Sequence, residues 1–122
     1  MTTILIYNIS GPELKKLKAL CAGKGVRARA VRPEEYGEPT GALCSLRERT
    51  GTPAPSGSVG QMLIFSGFGE KQLDMMLAEL DTARLCKSAV KAVLTQYNIS
   101  WDAVKLYSEL SLEHEKMMDS RQ

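Results

Sequence analysis

The stretch Met62-Leu-Ile-Phe-Ser-Gly-Phe-Gly-Glu-Lys-Gln-Leu73 decides the fold. It begins with an uninterrupted apolar run, which is typical of a β-strand covered on both faces. Gly67 and Gly69 follow the run and allow a tight turn. Apolar residues after the turn recur at helical spacing up to Leu80. The stretch therefore predicts a buried strand, a glycine turn and a helix.

A weaker copy of this pattern opens the chain. Ile4-Leu-Ile-Tyr7 is a second apolar run, and Ser10-Gly-Pro-Glu13 has the sequence of a helix capping box. Val26–Ala30 then alternates small apolar residues with arginines, which is typical of a half-exposed edge strand. The first third of the chain therefore predicts a strand, a helix and a second strand.

A further strand predicted at Ser88–Thr95 completes a second strand-helix-strand unit, and Ser100 is predicted to cap a C-terminal helix over 100–118. Two such units in tandem predict an α/β fold, more narrowly an α+β sandwich of the ferredoxin-like type. The first strand of each unit would be central and the second would lie at an edge. The C-terminal helix would cover the other face of the sheet. The alternative is a small parallel, flavodoxin-like sheet.

Residues 33–60 interrupt the pattern with four of the five prolines and several glycines. We expect one domain over 1–122, in which 33–60 is an irregular, partly mobile insertion. A short helix is predicted within it, at Thr40–Arg49. In the flavodoxin-like alternative this segment would supply the crossover.

Composition excludes several classes of protein. With 43% hydrophobic and 25% charged residues, the 122-residue chain is predicted to be globular. No apolar run approaches the ~18 residues of a membrane span, and the N-terminus lacks the features of a signal peptide. We therefore expect a cytoplasmic protein that has no membrane partner. Cys21, Cys44 and Cys86 show no metal-binding spacing, so we expect free thiols, no metal and no cofactor.

Several positions of the second half form a family pattern. They are Gly67-Phe68, Glu70, Leu73-Asp74, Val90–Thr95, Asn98, Trp101, Leu106-Tyr107, Glu109-Leu110 and Glu113-His114-Glu115, with a weaker match at Tyr36, Pro39, Gly41 and Leu43. In these residues the chain resembles a bacterial family of small uncharacterised proteins, the domain of unknown function number 3783. It departs from the pattern at Gly69, where a serine is expected, and at Gln96, where a proline is expected. The resemblance implies a fold and a bacterial origin but no reaction.

Seven residues are candidate ligand-binding positions, and none is assigned a catalytic role. The turn Gly67, Phe68 and Gly69 leads into a helix N-terminus, where backbone N–H groups can hold an anion, although the usual phosphate-loop fingerprints are missing. Thr95, Asn98 and Trp101 follow a strand and could line a polar pocket. His114 is the single histidine of the chain. Each has a simpler structural interpretation, as a core or turn residue.

Seven basic residues and no acid lie between Leu14 and Pro33, which permits contacts with nucleic-acid phosphates. No aromatic residue is interleaved with them, so stacking on bases is not indicated and a nucleic-acid partner is not favoured. We expect instead that Glu109 or Glu113 of the C-terminal helix neutralises Arg27 and Arg29.

The sequence favours a non-catalytic ligand- or protein-binding, regulatory module. One alternative is an enzyme acting on a small phosphorylated or carboxylated substrate, with His114 or Cys44 as the reactive group. Another is nucleic-acid binding through residues 15–32. A homo-oligomer that pairs through an edge strand is a further expectation. Met75, Met76, Met117 and Met118 are expected to be core or fraying positions, whereas an exposed methionine patch would indicate a protein partner.

Overall fold

The computed structural model describes residues 2–46 and 48–119, with side chains as far as residue 112. The described strands are β1 (Thr3–Tyr7), β2 (Arg27–Val31), β3 (Met62–Ser66) and β4 (Val90–Val93). The described helices are α1 (Gly11–Gly23), α2 (Thr40–Leu43), α3 (Glu70–Thr82) and α4 (Ala103–Asp119), with a short 3-10 helix at Pro33–Glu35. None of these helices is long and apolar enough to cross a membrane.

The strands form a single mixed sheet in the order β2-β1-β3-β4. Each edge strand is parallel to its neighbour, β2 to β1 and β4 to β3. The two central strands are antiparallel, with Leu5 opposite Ile64 at the middle of the register. The molecule is therefore built from two strand-helix-strand units, β1-α1-β2 and β3-α3-β4, that meet along their first strands.

The predicted α/β class, the two units and the central position of each first strand are confirmed. The ferredoxin-like arrangement is not confirmed, because that fold splits each unit by inserting a strand of the other, whereas here each edge strand pairs with the first strand of its own unit. The flavodoxin-like alternative is also wrong, since the central pair is antiparallel. Apolar patterning distinguishes a central strand from an edge strand but does not identify the neighbour.

Both faces of the central strands are covered, as their apolar runs predict. Ile4, Ile6, Leu63 and Phe65 face α1 and α3, while Leu5, Tyr7, Met62 and Ile64 face the side of α2 and α4. All eight side chains are essentially inaccessible to solvent. The C-terminal helix thus covers the second face of the sheet, as predicted.

The start of α1 differs from the predicted capping box. Ser10 occupies the N-cap position, but its side chain makes no capping hydrogen bond. The Glu13 carboxylate instead accepts a hydrogen bond from the backbone N–H of Cys86, at 3.3 Å. The Glu13 carboxylate, which would close the capping box, therefore makes a tertiary contact with the loop between α3 and β4.

The irregular segment contains less helix than predicted. α2 ends at Leu43, and Ser45 then adopts a left-handed backbone conformation with φ of 63°. The helix predicted to reach Arg49 is therefore a single turn. Whether the segment is mobile stays a prediction.

The C-terminal helix starts three residues later than predicted. Residues 96–100 form turns, and the Asp102 carboxylate accepts a hydrogen bond from the N–H of Lys105 at 2.8 Å. Asp102, rather than Ser100, therefore caps α4.

We expect Asp102→Ala to lower the free energy of unfolding by about 1 kcal/mol, because it removes the side-chain cap of α4. Ser100→Ala is the matched control and should change stability by less than about 0.5 kcal/mol. Urea denaturation of both variants measures the difference. Equal losses in the two would show that Asp102 has no capping role.

Candidate functional site

The predicted glycine turn positions the partly buried Phe68 against the core. Gly67 has a φ of 78°, and its carbonyl oxygen accepts a hydrogen bond from the Thr2 hydroxyl at 3.4 Å. The Phe68 ring packs edge-on against Phe65, with ring centroids 5.4 Å apart. This favours the structural interpretation of Phe68 and leaves the backbone of Gly69 at the N-cap of α3.

The predicted polar corner is occupied by its own hydrogen bonds. Asn98 accepts from the N–H of Thr95 at 2.8 Å and donates to the Val93 carbonyl at 3.2 Å. The Thr95 hydroxyl accepts from the N–H groups of Tyr97 and Asn98. These side chains close the turn after β4, so their polar atoms are largely engaged within the chain.

Trp101 connects this corner to α2. Its carbonyl oxygen accepts from both the N–H and the hydroxyl of Thr40, at 2.9 and 2.7 Å. Its partly buried ring packs against the core on the α4 side of the sheet, and the Lys105 ammonium lies 4.8 Å from the ring centroid. Trp101 and Phe68 therefore contact opposite faces of the sheet. The side chain of His114, the last predicted site residue, lies outside the described side chains.

The structure pairs Arg29 differently from the prediction. The guanidinium lies 2.6 Å from the Glu35 carboxylate and donates a second hydrogen bond to the Leu43 carbonyl at 2.7 Å. Glu109 is exposed and makes no described ion pair, while the side chain of Glu113 is not described. Arg29 faces the side of the sheet that the irregular segment covers, so a glutamate of that segment is its partner. The alternation of residues 26–30 predicted the face but not the partner.

Glu38 holds the irregular segment together. Its carboxylate accepts hydrogen bonds from the backbone N–H groups of Thr50 and Gly51, at 2.6 and 2.8 Å. The bond from the Thr50 backbone is the main reason that the pKa of Glu38 lies below its ordinary value of 4.5; burial acts in the opposite direction. Further support comes from the Gly51 N–H, the Thr50 hydroxyl and Arg49. Two carboxylates at 35 and 38 thus organise a segment that has little regular structure.

This shift predicts a pH dependence of stability. Because the folded-state pKa of Glu38 is depressed, the carboxylate stabilises the fold above its unfolded pKa, and that stability is lost as pH falls through the folded value. We expect Glu38→Gln to be less stable than the wild type near neutral pH and to lose less on acidification. Glu34→Gln, at an exposed position, is the matched control. Thermal denaturation between pH 7 and pH 3 measures both, and parallel curves for wild type and Glu38→Gln would contradict this role.

The cysteines are free and buried, as predicted. Burial raises the pKa of the Cys44 thiol, although Ser66 and two arginines oppose this. Burial, followed by the charge of Glu13, raises the pKa of Cys86 to about 11. Protonated, buried thiols are poor nucleophiles. Cys44 therefore gives no support to the enzyme alternative.

Tyr7 is fully buried next to Cys44, Tyr36 and Arg29. Its hydroxyl has no hydrogen-bond partner among the described atoms. Burial is the main cause that raises the pKa of Tyr7 above its ordinary value. No described cleft opens onto this hydroxyl.

Three surface clefts are described, and none is lined by a predicted site residue whose side chain the structure describes. The methionine cleft lies between α1 and α3 and has a volume of about 370 Å³; its lining is Lys24, Val26, Lys71, Gln72, Met75 and Met76. The lysine cleft lies between α3 and β4 and has a volume of about 440 Å³; its lining is Leu77, Leu80, Asp81, Leu85, Lys87 and Lys91. A third cleft of about 370 Å³ lies between residues 57–58 and α4.

The methionine cleft has an apolar floor and a basic rim. Met75 is 56% exposed, whereas Met76 and Val26 are buried, so the floor continues into the core. Lys24 forms an ion pair with Glu79 at 3.0 Å, and Lys71 makes no ion pair with a described side chain. Lys71 and Gln72 lie in the first turn of α3, directly after the Gly67–Gly69 turn. The turn and both methionines belong to the turn-helix element that the sequence predicted, and the packing of residues 24–26 beside α3 completes the cleft.

The fold and its clefts define a small mixed α/β protein of two strand-helix-strand units with an additional C-terminal helix. Residues 61–117 match a family model described as "Domain of unknown function (DUF3783)". This match covers the second half of the chain, from β3 into α4, and confirms the resemblance to that family read from the sequence. No curated protein and no solved structure matches the chain.

Proposed function

We propose that this protein is a non-catalytic binding module whose methionine cleft docks an acidic, apolar segment of a partner protein. The observation that carries the proposal is the exposure of Met75 in a cleft whose lining is mainly apolar and includes two lysines. Methionine side chains adapt to different apolar surfaces and are common at protein-binding sites. Exposed methionine was also the feature that the sequence associated with a protein partner.

Charge complementarity selects the partner's chemistry. Lys24 comes from the end of α1 and Lys71 from the start of α3, so the two ammonium groups border the floor from different elements. A partner segment that combines aliphatic or aromatic side chains with Asp or Glu would pack on the apolar floor and pair with the two lysines. Glu79 engages Lys24 at an exposed position, where an ion pair is worth little and can be exchanged for a partner's carboxylate.

The nucleic-acid alternative receives less support from the same contacts. Arg29, one of the seven residues of the basic stretch, is engaged by Glu35 and by the Leu43 carbonyl. Its charge is therefore neutralised inside the protein and does not contribute to a phosphate-binding surface.

A randomised peptide library, selected on the immobilised full chain, tests the proposal. We expect the enriched peptides to combine large apolar residues with Asp or Glu. For the best synthetic peptide, Met75→Ser should weaken binding at least about tenfold, because an exposed apolar contact of the cleft is removed. Lys71→Glu should weaken it as well. Tyr97→Ser is the matched control, since Tyr97 is a more exposed apolar residue outside the cleft, and should leave binding unchanged.

Three results would overturn the proposal. The first is an enriched set of peptides without acidic residues, and the second is peptide binding that does not depend on Met75. The third is a dimer of the wild type that Met75→Ser converts to a monomer in size-exclusion chromatography with light scattering. That outcome would show that a second copy, rather than an acidic partner segment, occupies the cleft.

A further inference from the structure

We infer that the lysine cleft is a second binding site, specific for a small carboxylate that carries a short apolar body. This site lies on the other side of α3 from the methionine cleft and does not depend on the function proposed for it. Its volume of about 440 Å³ falls within the usual range of small-molecule sites, roughly 300–1,000 Å³.

The Lys91 ammonium is held in place by the protein. It donates to the carbonyl oxygens of Cys86 and Ala89, at 2.8 and 3.2 Å. An ammonium group has three donors, so these two bonds leave one for a ligand. Because the side chain is already ordered, a carboxylate that binds it does not bear the full entropy cost of fixing a lysine.

The turn that carries Lys87 is fixed from two sides. Glu13 of α1 accepts a hydrogen bond from the Cys86 N–H, and Lys91 of β4 donates to the Cys86 carbonyl. Lys87 is the next residue and is exposed at the cleft. The backbone from which the Lys87 side chain extends is therefore held by contacts on both sides of Cys86.

The charges at the cleft favour a single negative charge on the ligand. Two lysines and Asp81 leave one net positive charge. Among the described side chains, no carboxylate lies within ion-pair distance of either lysine, so neither ammonium forms an internal ion pair. A carboxylate satisfies this balance, and charge-assisted hydrogen bonds to ammonium groups are among the stronger polar contacts.

The floor explains why the ligand needs an apolar body. Leu80 and Leu85 are buried and Leu77 is half-buried, so the cleft ends on the core between α3 and the sheet. Binding an alkyl chain there removes apolar surface from water on both sides. A bare anion such as acetate would leave that surface hydrated.

Titration of the isotopically labelled full chain with sodium octanoate, followed by NMR, tests the site. We expect saturable shifts at residues 77–91, with octanamide and acetate each binding at least about tenfold more weakly. Lys91→Met should weaken octanoate at least about tenfold. Lys87→Gln, at an exposed position that should not affect folding, should weaken it at least about threefold. Thermal denaturation of Lys91→Met checks that the variant is folded.

Lys71→Gln is the matched control, because it removes a lysine from the methionine cleft. It should leave octanoate affinity unchanged. If Lys71→Gln weakens octanoate and Lys87→Gln does not, the acid binds in the methionine cleft and the inference is overturned. Equal affinities for octanoate and octanamide, or no saturable shifts at residues 77–91, would also overturn it.

Discussion

Replacing Arg29 with methionine is expected to lower the free energy of unfolding by about 3 kcal/mol. The guanidinium is largely buried, 2.6 Å from a Glu35 carboxylate whose side chain is only 9% exposed. Removing one partner of a buried ion pair leaves the other charge without compensation, which typically costs about 3–5 kcal/mol. Arg49 lies 3.2 Å from the same carboxylate and offsets part of that cost. The Leu43 carbonyl also loses its donor.

Arg32→Met is the matched control for this experiment. Arg32 and Glu34 form a pair 3.7 Å apart that is exposed on both sides, and such pairs contribute about 0–1 kcal/mol. Urea denaturation of both variants gives the two losses. The double variant Arg29→Met/Glu35→Gln should recover part of the stability, because it removes the unpaired charge as well. Similar losses for Arg29→Met and Arg32→Met would show that the buried ion pair contributes no more to the free energy of unfolding than the exposed one.

Replacing Gly37 with alanine is the second change with a large expected effect. A Cβ at this position would collide with the backbone carbonyl oxygens of Thr52 and Pro53. Those atoms cannot retreat easily, because the neighbouring Glu38 binds the N–H groups of Thr50 and Gly51. We expect a loss of about 2–3 kcal/mol, the range of overpacking in tightly packed sites.

Gly23→Ala is the matched control for Gly37→Ala. Gly23 lies within α1, its φ is not positive, and a Cβ there would meet nothing within 4 Å. Alanine has the higher helix propensity, so this variant should lose no stability. Thermal denaturation compares the two. A Gly37→Ala protein as stable as wild type would mean that residues 52–53 are free to move away from residue 37.

If Gly37→Ala lowers stability as expected, the irregular segment is part of the cooperative fold. Its glutamates at 35 and 38 then anchor the segment together with its buried apolar residues Leu43 and Val59. The amino-acid composition of residues 33–60 did not predict this anchoring. Proline and glycine content predicted a loose insertion, while the described hydrogen bonds tie it to β2 and to itself.

The candidate site could be predicted only in fragments. The Gly67–Gly69 turn, the helix after it and its methionines were visible in the sequence, but the packing of Lys24 and Val26 beside that helix was not. The lysine cleft could not be predicted from the sequence, because nothing in the sequence distinguishes Lys87 and Lys91 from other lysines. Only the folded chain brings the Lys91 ammonium to the carbonyl oxygens of Cys86 and Ala89. The corner at Thr95 and Asn98 had the right location for a pocket, yet its polar groups bind one another.

The sequence by itself determined the two strand-helix-strand units, the central position of β1 and β3 and the covering of both faces. These properties follow from local apolar periodicity, which is written in each segment. The tertiary structure alone decided which strands pair. It also decided that the Glu13 carboxylate accepts a hydrogen bond from Cys86 and that Arg29 forms its ion pair with Glu35. Each of these depends on groups far apart in the chain competing for one partner. The opening stretch Met62–Leu73 shows both sides. Its strand and helix were evident from spacing, while the clefts on either side of α3 exist only because α1 and β4 pack beside it.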